Sequence, residues 1–199
     1  MSTARLEAFS DGVLAIAITL LVLDIHVPDP AQRGSLASRL GSQWPHYAAY
    51  AVSFLTIGVI WINHHAMLRR MARADHTVLV LHLVLLLTIG VLPFTTALMA
   101  EYVRRSSGEH LASAVYAGSF LLMAIAFFTM QRYLLYGRGS LLRDHIGETA
   151  RKRIARQNFA GLLPYAIATA VAPLSSYATL AICAAVAVFY ALPQTTAET

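Results

Sequence analysis

The sequence has 199 residues, of which 57% are hydrophobic and 13% charged, about half the charged share of a soluble domain; its mean hydropathy is +0.59. A soluble core of this length does not need so much apolar sequence, so a soluble enzyme is set aside and an integral membrane protein remains. The formal net charge of +5 rests on fourteen Arg and the single Lys152, and the one cysteine, Cys183, excludes an intrachain disulfide or a cysteine zinc cluster.

A hydrocarbon layer about 30 Å thick requires roughly 20 apolar residues in a helix. Six runs meet or approach that length: 8–26, 46–67, 77–100, 111–134, 159–172 and 177–192. The fifth is the shortest, and its Gly161, Pro164 and Pro173 predict ends or a kink, tolerated where neighbours satisfy the freed backbone groups. The expected architecture is all-α: one domain of six transmembrane helices, with no room for a soluble domain.

With the N-terminus placed inside, the inner segments hold Arg5, then Arg69, Arg70 and Arg73, then Arg132, Arg138, Arg143, Arg151, Lys152, Arg153 and Arg156, eleven bases in all. The outer loops hold Arg33, Arg39, Arg104 and Arg105. The positive-inside rule then puts both termini in the cytoplasm, as an even number of spans requires. The first run is expected to be retained rather than cleaved, because Glu7 and Asp11 interrupt it and no A-x-A site follows. The basic stretch 138–156 is expected to be a solvated loop rather than a helix lying on the membrane. The basic charge thus argues for topology and not for nucleic acid, since no nucleic-acid motif is present. No internal repeat of the kind many transporters carry is visible.

Ionisable groups in hydrocarbon need a partner or a water path. Asp11 lies about four residues, roughly 6 Å, into the first span. The second span runs the other way, so its Trp61, Asn63, His64 and His65 lie at the same depth. A hydrogen-bonded network among Asp11, Asn63, His64 and Arg5 is expected, with His82 of the third span in reach. Adjacent His64 and His65 point about 100° apart on a helix and do not form a metal site by themselves. No nucleophile elbow or phosphate loop is present, and Asp11 and Asp24 lie too far apart on one helix for paired acid–base work. Neither an enzyme nor a metal or cofactor is expected.

The segment Arg5-Leu-Glu-Ala-Phe9-Ser10-Asp11-Gly12 followed by an apolar run resembles the R-x-x-x-F-S-D-G signature of the transmembrane-protein-175 family of potassium channels. Trp61-Ile-Asn63-His64-His65 with Arg69 is similar to that family's second-span motif, and Leu92-Pro93-Phe94 with Thr96 to its L-P-F stretch; His82 stands where Asn is expected. The resemblance implies that Arg5, Phe9, Ser10, Asp11, Gly12, Trp61, Asn63, His64 and His82 form a structural polar network. It further implies a homotetramer in which the first helix of each subunit lines the pore, with Ile16, Leu20 and Leu23 as apolar constriction rings and Thr19 as a polar layer.

Ile16, Thr19, Leu20 and Leu23 do share one helical stripe. On the residues alone such a stripe packs or faces lipid; the resemblance turns it toward a pore, where apolar rings gate by dewetting. Asp24 falls near the same face, as an acidic ring at the outer mouth or as a solvated carboxylate at a helix end. The polar loop Val27–Pro45 is expected to cap that mouth, and the tail Pro193–Thr199 is too short for a regulatory domain. The implied activity is passive conduction of potassium through the bilayer of a bacterial plasma membrane, with monovalent cations as the permeant species. A proton-coupled or small-solute transporter is the alternative, and a non-conducting membrane enzyme or assembly protein a further one.

Overall fold

A computed structural model of the chain describes residues 3–31, 33–137, 141–143 and 146–192. Arg138 and the tail Pro193–Thr199 lie outside the described residues. The described chain is helical, with nine α-helices: α1 (Thr3–Leu20), α2 (Leu36–Ser42), α3 (Trp44–Arg69), α4 (His76–Gly90), α5 (Leu92–Tyr102), α6 (Glu109–Tyr136), α7 (Glu148–Ala160), α8 (Leu162–Val171) and α9 (Ser176–Ala191). A tighter 3-10 turn, Leu21–Asp24, continues α1.

Four helical stretches among the described residues are long and apolar enough to cross a membrane: Thr3–Asp24, Trp44–Arg69, His76–Tyr102 and Glu109–Tyr136. The third is two helices. Pro93, in the first turn of α5, supplies no backbone N–H, so the ladder breaks at Val91 and restarts. The apolar run 159–172 also divides: Phe159 and Ala160 finish α7, Gly161 interrupts, and α8 has only 10 residues. At about 1.5 Å per residue α8 is roughly 15 Å long, half a hydrocarbon layer.

Local chemistry sets the ends. Ser35, Asp75 and Ser175 cap α2, α4 and α9 by accepting from the amides of Ser38, Val78 and Ala178. Gly108 precedes α6 at φ 87°, and a Cβ there would sit 3.0 Å from the Tyr102 ring, so only glycine fits that corner. Between α1 and α3, α2 buries no side chain of its own. The α3–α4 and α6–α7 loops are pinned together: Met71 and Leu142 form an isolated antiparallel bridge, and the Arg143 Nε donates to the Met71 carbonyl at 2.8 Å. The basic stretch expected as a solvated loop holds instead the 13-residue helix α7. Its Arg, Lys, Ala and Gln content favours helix once Glu148 opens it.

The core is built around α6, which packs on α4, α5, α8 and α9. Its Tyr116 and Phe120 are wholly buried and meet edge to face with centroids 4.7 Å apart. Short hydroxyl contacts cross the apolar helix interfaces. Ser53 on α3 lies 2.8 Å from the Thr96 hydroxyl on α5 and 3.1 Å from the Tyr116 hydroxyl on α6; Thr95 lies 3.0 Å from the Ser119 hydroxyl. Helices in lipid have no hydrophobic drive toward one another, so such small polar contacts and close packing decide their arrangement.

Ser53→Ala should therefore destabilise the fold by about 1–3 kcal/mol, because it orphans the buried Tyr116 hydroxyl. Tyr116→Phe should cost less, since Ser53 keeps Thr96. Thermal unfolding of the detergent-solubilised variants checks the order.

Candidate pore helix and its polar anchor

α1 touches the rest of the fold along one narrow strip. Its buried residues are Leu6, Ser10, Leu14 and Ala17, continued by Leu21 in the 3-10 turn. These recur every three or four positions and meet α3 and α4. The rest of the helix is largely bare, and on it Phe9, Ile16 (61% exposed), Leu20 (45%) and Leu23 (69%) form one exposed apolar strip.

The rotation of α1 is set by polar contacts at its inner end. Ser10 donates its hydroxyl hydrogen to the Leu6 carbonyl at 2.6 Å and lies 3.0 Å from His82 Nε2 on α4. With the serine hydrogen committed, His82 donates through Nε2–H. Its Nδ1 is then an acceptor, and it faces His64 Nε2 on α3 at 3.4 Å. Ser10, His64 and His82 are all buried. The result is a one-way chain of donors from His64 through His82 and Ser10 to a backbone carbonyl, joining three helices with no net charge.

Two further contacts tie α1 to α3. Trp61 Nε1 donates to Asp11 Oδ1 at 2.9 Å, and His65 Nδ1 lies 2.8 Å from Glu7 Oε1. Glu7 and Asp11 are i and i+4 on α1; Trp61 and His65 are i and i+4 on α3. Antiparallel helices pair 7 with 65 and 11 with 61, as observed. The Glu7–His65 pair was not expected from the sequence, although this matched spacing was a signal that could have found it.

Four residues expected in the network stand outside it. Asn63 is turned away, its Nδ2 donating to the Val59 carbonyl one turn back at 3.0 Å. Arg5 is exposed. Phe9 is exposed and lies on the bare strip. Gly12 is exposed, with open space where a Cβ would stand. The physical reason is rotation: once Ser10 faces α4, the residues about 100° to either side of it cannot all face inward. His82 forms the centre of the chain instead.

Thr19 donates its hydroxyl hydrogen to the carbonyls of Ala15 and Ile16 at 3.0 and 2.9 Å. Its oxygen lone pairs stay free on an exposed part of the helix. Asp24, at the end of the 3-10 turn, lies 4.0 Å from His46 Nε2, which is also 3.9 Å from Glu101 Oε2. The tighter winding turns this carboxylate toward α3, off the line of Leu20 and Leu23. Among the described residues no group of three His, Cys, Asp or Glu side chains could hold a metal ion.

Helices left apolar on uncovered faces, with inner polar groups tied to one another, define an all-helical multi-pass membrane protein. Residues 5–93 match the family model described as the endosomal/lysosomal potassium channel TMEM175. The chain is 42% identical over 193 residues to a protein of Streptomyces collinus named as a potassium channel, covering 96% of this chain and 93% of that one. It is 41% identical over 117 residues to a chicken protein named as an endosomal/lysosomal proton channel, of which it spans 23%. A crystal structure of a lysosomal potassium-selective channel TMEM175 homologue from Chamaesiphon minutus superimposes with a TM-score of 0.84 at 38% identity, over 95% of this chain and 96% of that one. The fold is thus that of a membrane channel. The chain belongs to the TMEM175 potassium-channel family.

Removing His82 leaves both Ser10 and His64 without their partner. His82→Ala should cost about 1–3 kcal/mol for each orphaned group. Asp11→Ala, which breaks a single half-exposed contact to Trp61, should cost less. Unfolding midpoints in detergent, with the assembled fraction on size exclusion, test this ranking.

Proposed function

We propose that this chain is one subunit of a homotetrameric, potassium-permeable channel of a bacterial plasma membrane. Each subunit crosses six times, with both termini cytoplasmic and α8 and α9 as short crossings. The observation that carries the reading is the bareness of α1. It is one of the most apolar helices, yet only 28% of its span window is buried, the least of the four long spans. Four copies meeting along that face would cover it and enclose an axial path. Ile16, Leu20 and Leu23 would then stand as apolar rings, with the Thr19 hydroxyls between them as a polar layer. Phe9 and Gly12 lie on the same exposed side, and the space beside Gly12 would admit a neighbouring helix.

Conduction through such a path follows from its chemistry. An ion between apolar rings must shed water or wait for the ring to widen, so side-chain size and polarity set the barrier. Thr19, with its hydrogen held by the backbone, offers oxygen lone pairs that replace part of a hydration shell. At the outer end, four Asp24 carboxylates, held beside the rings rather than on their line by the turn toward His46, would still add negative charge near the mouth and concentrate cations. The bacterial relatives support the plasma-membrane assignment, and the excess of bases on one set of loops supports the orientation.

Single-channel recording in planar bilayers tests the proposal. The reversal potential should follow the potassium gradient; a current that follows only the proton gradient, or none at all, overturns it. Leu20→Ala and Ile16→Asn should raise conductance and weaken potassium preference, whereas Leu122→Ala on the exposed side of α6 should leave both unchanged.

Asp24→Asn should lower the current mainly at low salt, because at about 0.15 M ionic strength the field is already screened within roughly 8 Å. The conductance ratio of variant to wild type at two salt concentrations reads this directly.

A further inference from the structure

Away from α1, a crevice of about 500 Å³ opens between α3, α6, the α7–α8 break and the end of α9. We propose that it holds one anionic phospholipid, an acyl chain inside and the phosphate on Arg153 and Arg156 of α7. The size falls within the range of roughly 300–1,000 Å³ typical of small-molecule sites. Ile60, Met123 and Phe127 make the deep walls apolar, while Asn63 and Asn158 stand on the lining as polar groups. The Asn158 Nδ2 is buried without a hydrogen-bond partner, as is the Arg151 Nε. The Asn158 donor, on the crevice wall, calls for an acceptor such as a phosphate or ester oxygen, and Arg151 stands about two turns earlier on the same helix.

The charge is complementary. α7 carries Arg151, Lys152, Arg153 and Arg156 in 13 residues. Lys152 is paired with Glu148 at 2.6 Å, but no carboxylate among the described residues lies within ion-pair distance of the three arginines. Arg153 is one turn before Gln157, which lines the crevice, and is therefore on the same side of α7. Arg156 flanks it. The bridge between Met71 and Leu142 brings the loop carrying Arg69, Arg70 and Arg73 to this end of the molecule. Juxtamembrane bases of this density attract anionic headgroups. At the break in the helix, Gly161 keeps the crevice open: a Cβ there would lie 3.3 Å from both the Tyr190 hydroxyl and the Asn158 carbonyl. The inference needs the chain to sit in a bilayer but does not depend on conduction.

The test is the unfolding midpoint of the full-length detergent-solubilised protein with added phosphatidylglycerol, phosphatidylcholine of the same chains, or glycerol phosphate without chains. Phosphatidylglycerol should raise the midpoint by about 5 °C or more near saturation, well above the other two. Arg153→Gln with Arg156→Gln, at exposed positions that leave the core intact, should bring phosphatidylglycerol down to the level of phosphatidylcholine. Ala124→Phe, which fills the crevice from α6, should abolish the rise. Equal effects of the two lipids, an equal effect of glycerol phosphate, or an undiminished rise in the arginine variant would each overturn the proposal. Because no current is measured, a failure here is separate from a failure of the channel reading.

Discussion

The hydrogen-bonded chain from His64 through His82 to Ser10 decides how α1 is turned. In water, burial of an apolar stripe would fix a helix's rotation. In lipid every face of α1 is equally content with hydrocarbon, so the stripe alone carries little orientational information. A buried imidazole pair that must find donors and acceptors does carry it. With Ser10 locked to α4, and Asp11 and Glu7 locked to Trp61 and His65 of α3, Ile16, Leu20 and Leu23 face away from the subunit. The polar end of α1 thereby determines which of its apolar residues are left exposed.

The same logic holds the remaining helices. Ser53 sits between Thr96 and Tyr116, and Thr95 beside Ser119, so α3, α5 and α6 are tied by hydroxyl contacts buried in apolar surroundings. The break at Val91 interrupts a run that composition would pass as continuous, whereas the one at Gly161 falls where the glycine and the nearby prolines predicted an end or a kink. Backbone groups at such breaks must be re-satisfied within the protein, and the Gly161 amide does so by donating to the Gln157 carbonyl. At Val91 the Thr95 amide reaches back to the Val91 carbonyl. Irregular backbone within such a fold concentrates where something must bend or bind.

The transporter alternative drew on the same polar residues that now have structural partners. Ser10, Asp11, His64 and His82 hold helices together, and no bare file of ionisable groups crosses the described residues. The cavity beside Asn63 lies on the far side of α3 from α1, so the two features are separable parts of one subunit. Their common element is α3, which contacts α1 with Trp61 and His65 and lines the crevice with Ile60 and Asn63.

Much of this protein was legible in one dimension. Length and hydropathy marked the four stretches long enough to cross a bilayer, because its thickness is a fixed ruler. Equal depth on antiparallel helices placed Asp11 beside the Trp61–His65 segment, since about 1.5 Å per residue needs no structure to apply. The F-S-D-G string and its companions gave the family. What the sequence could not supply was rotation. Asn63 and His64 are neighbours, and only packing chose His64 for the core and left Asn63 to its own helix. Phe9 and Gly12 belong to the same motif as Ser10 yet are left exposed. Asp24 was placed on the stripe by assuming α-helical winding, and the 3-10 turn moved it toward His46. Partners such as His82 and Ser10, 72 residues apart, are joined by tertiary structure alone, because a hydrogen bond depends on directions that hydropathy does not encode.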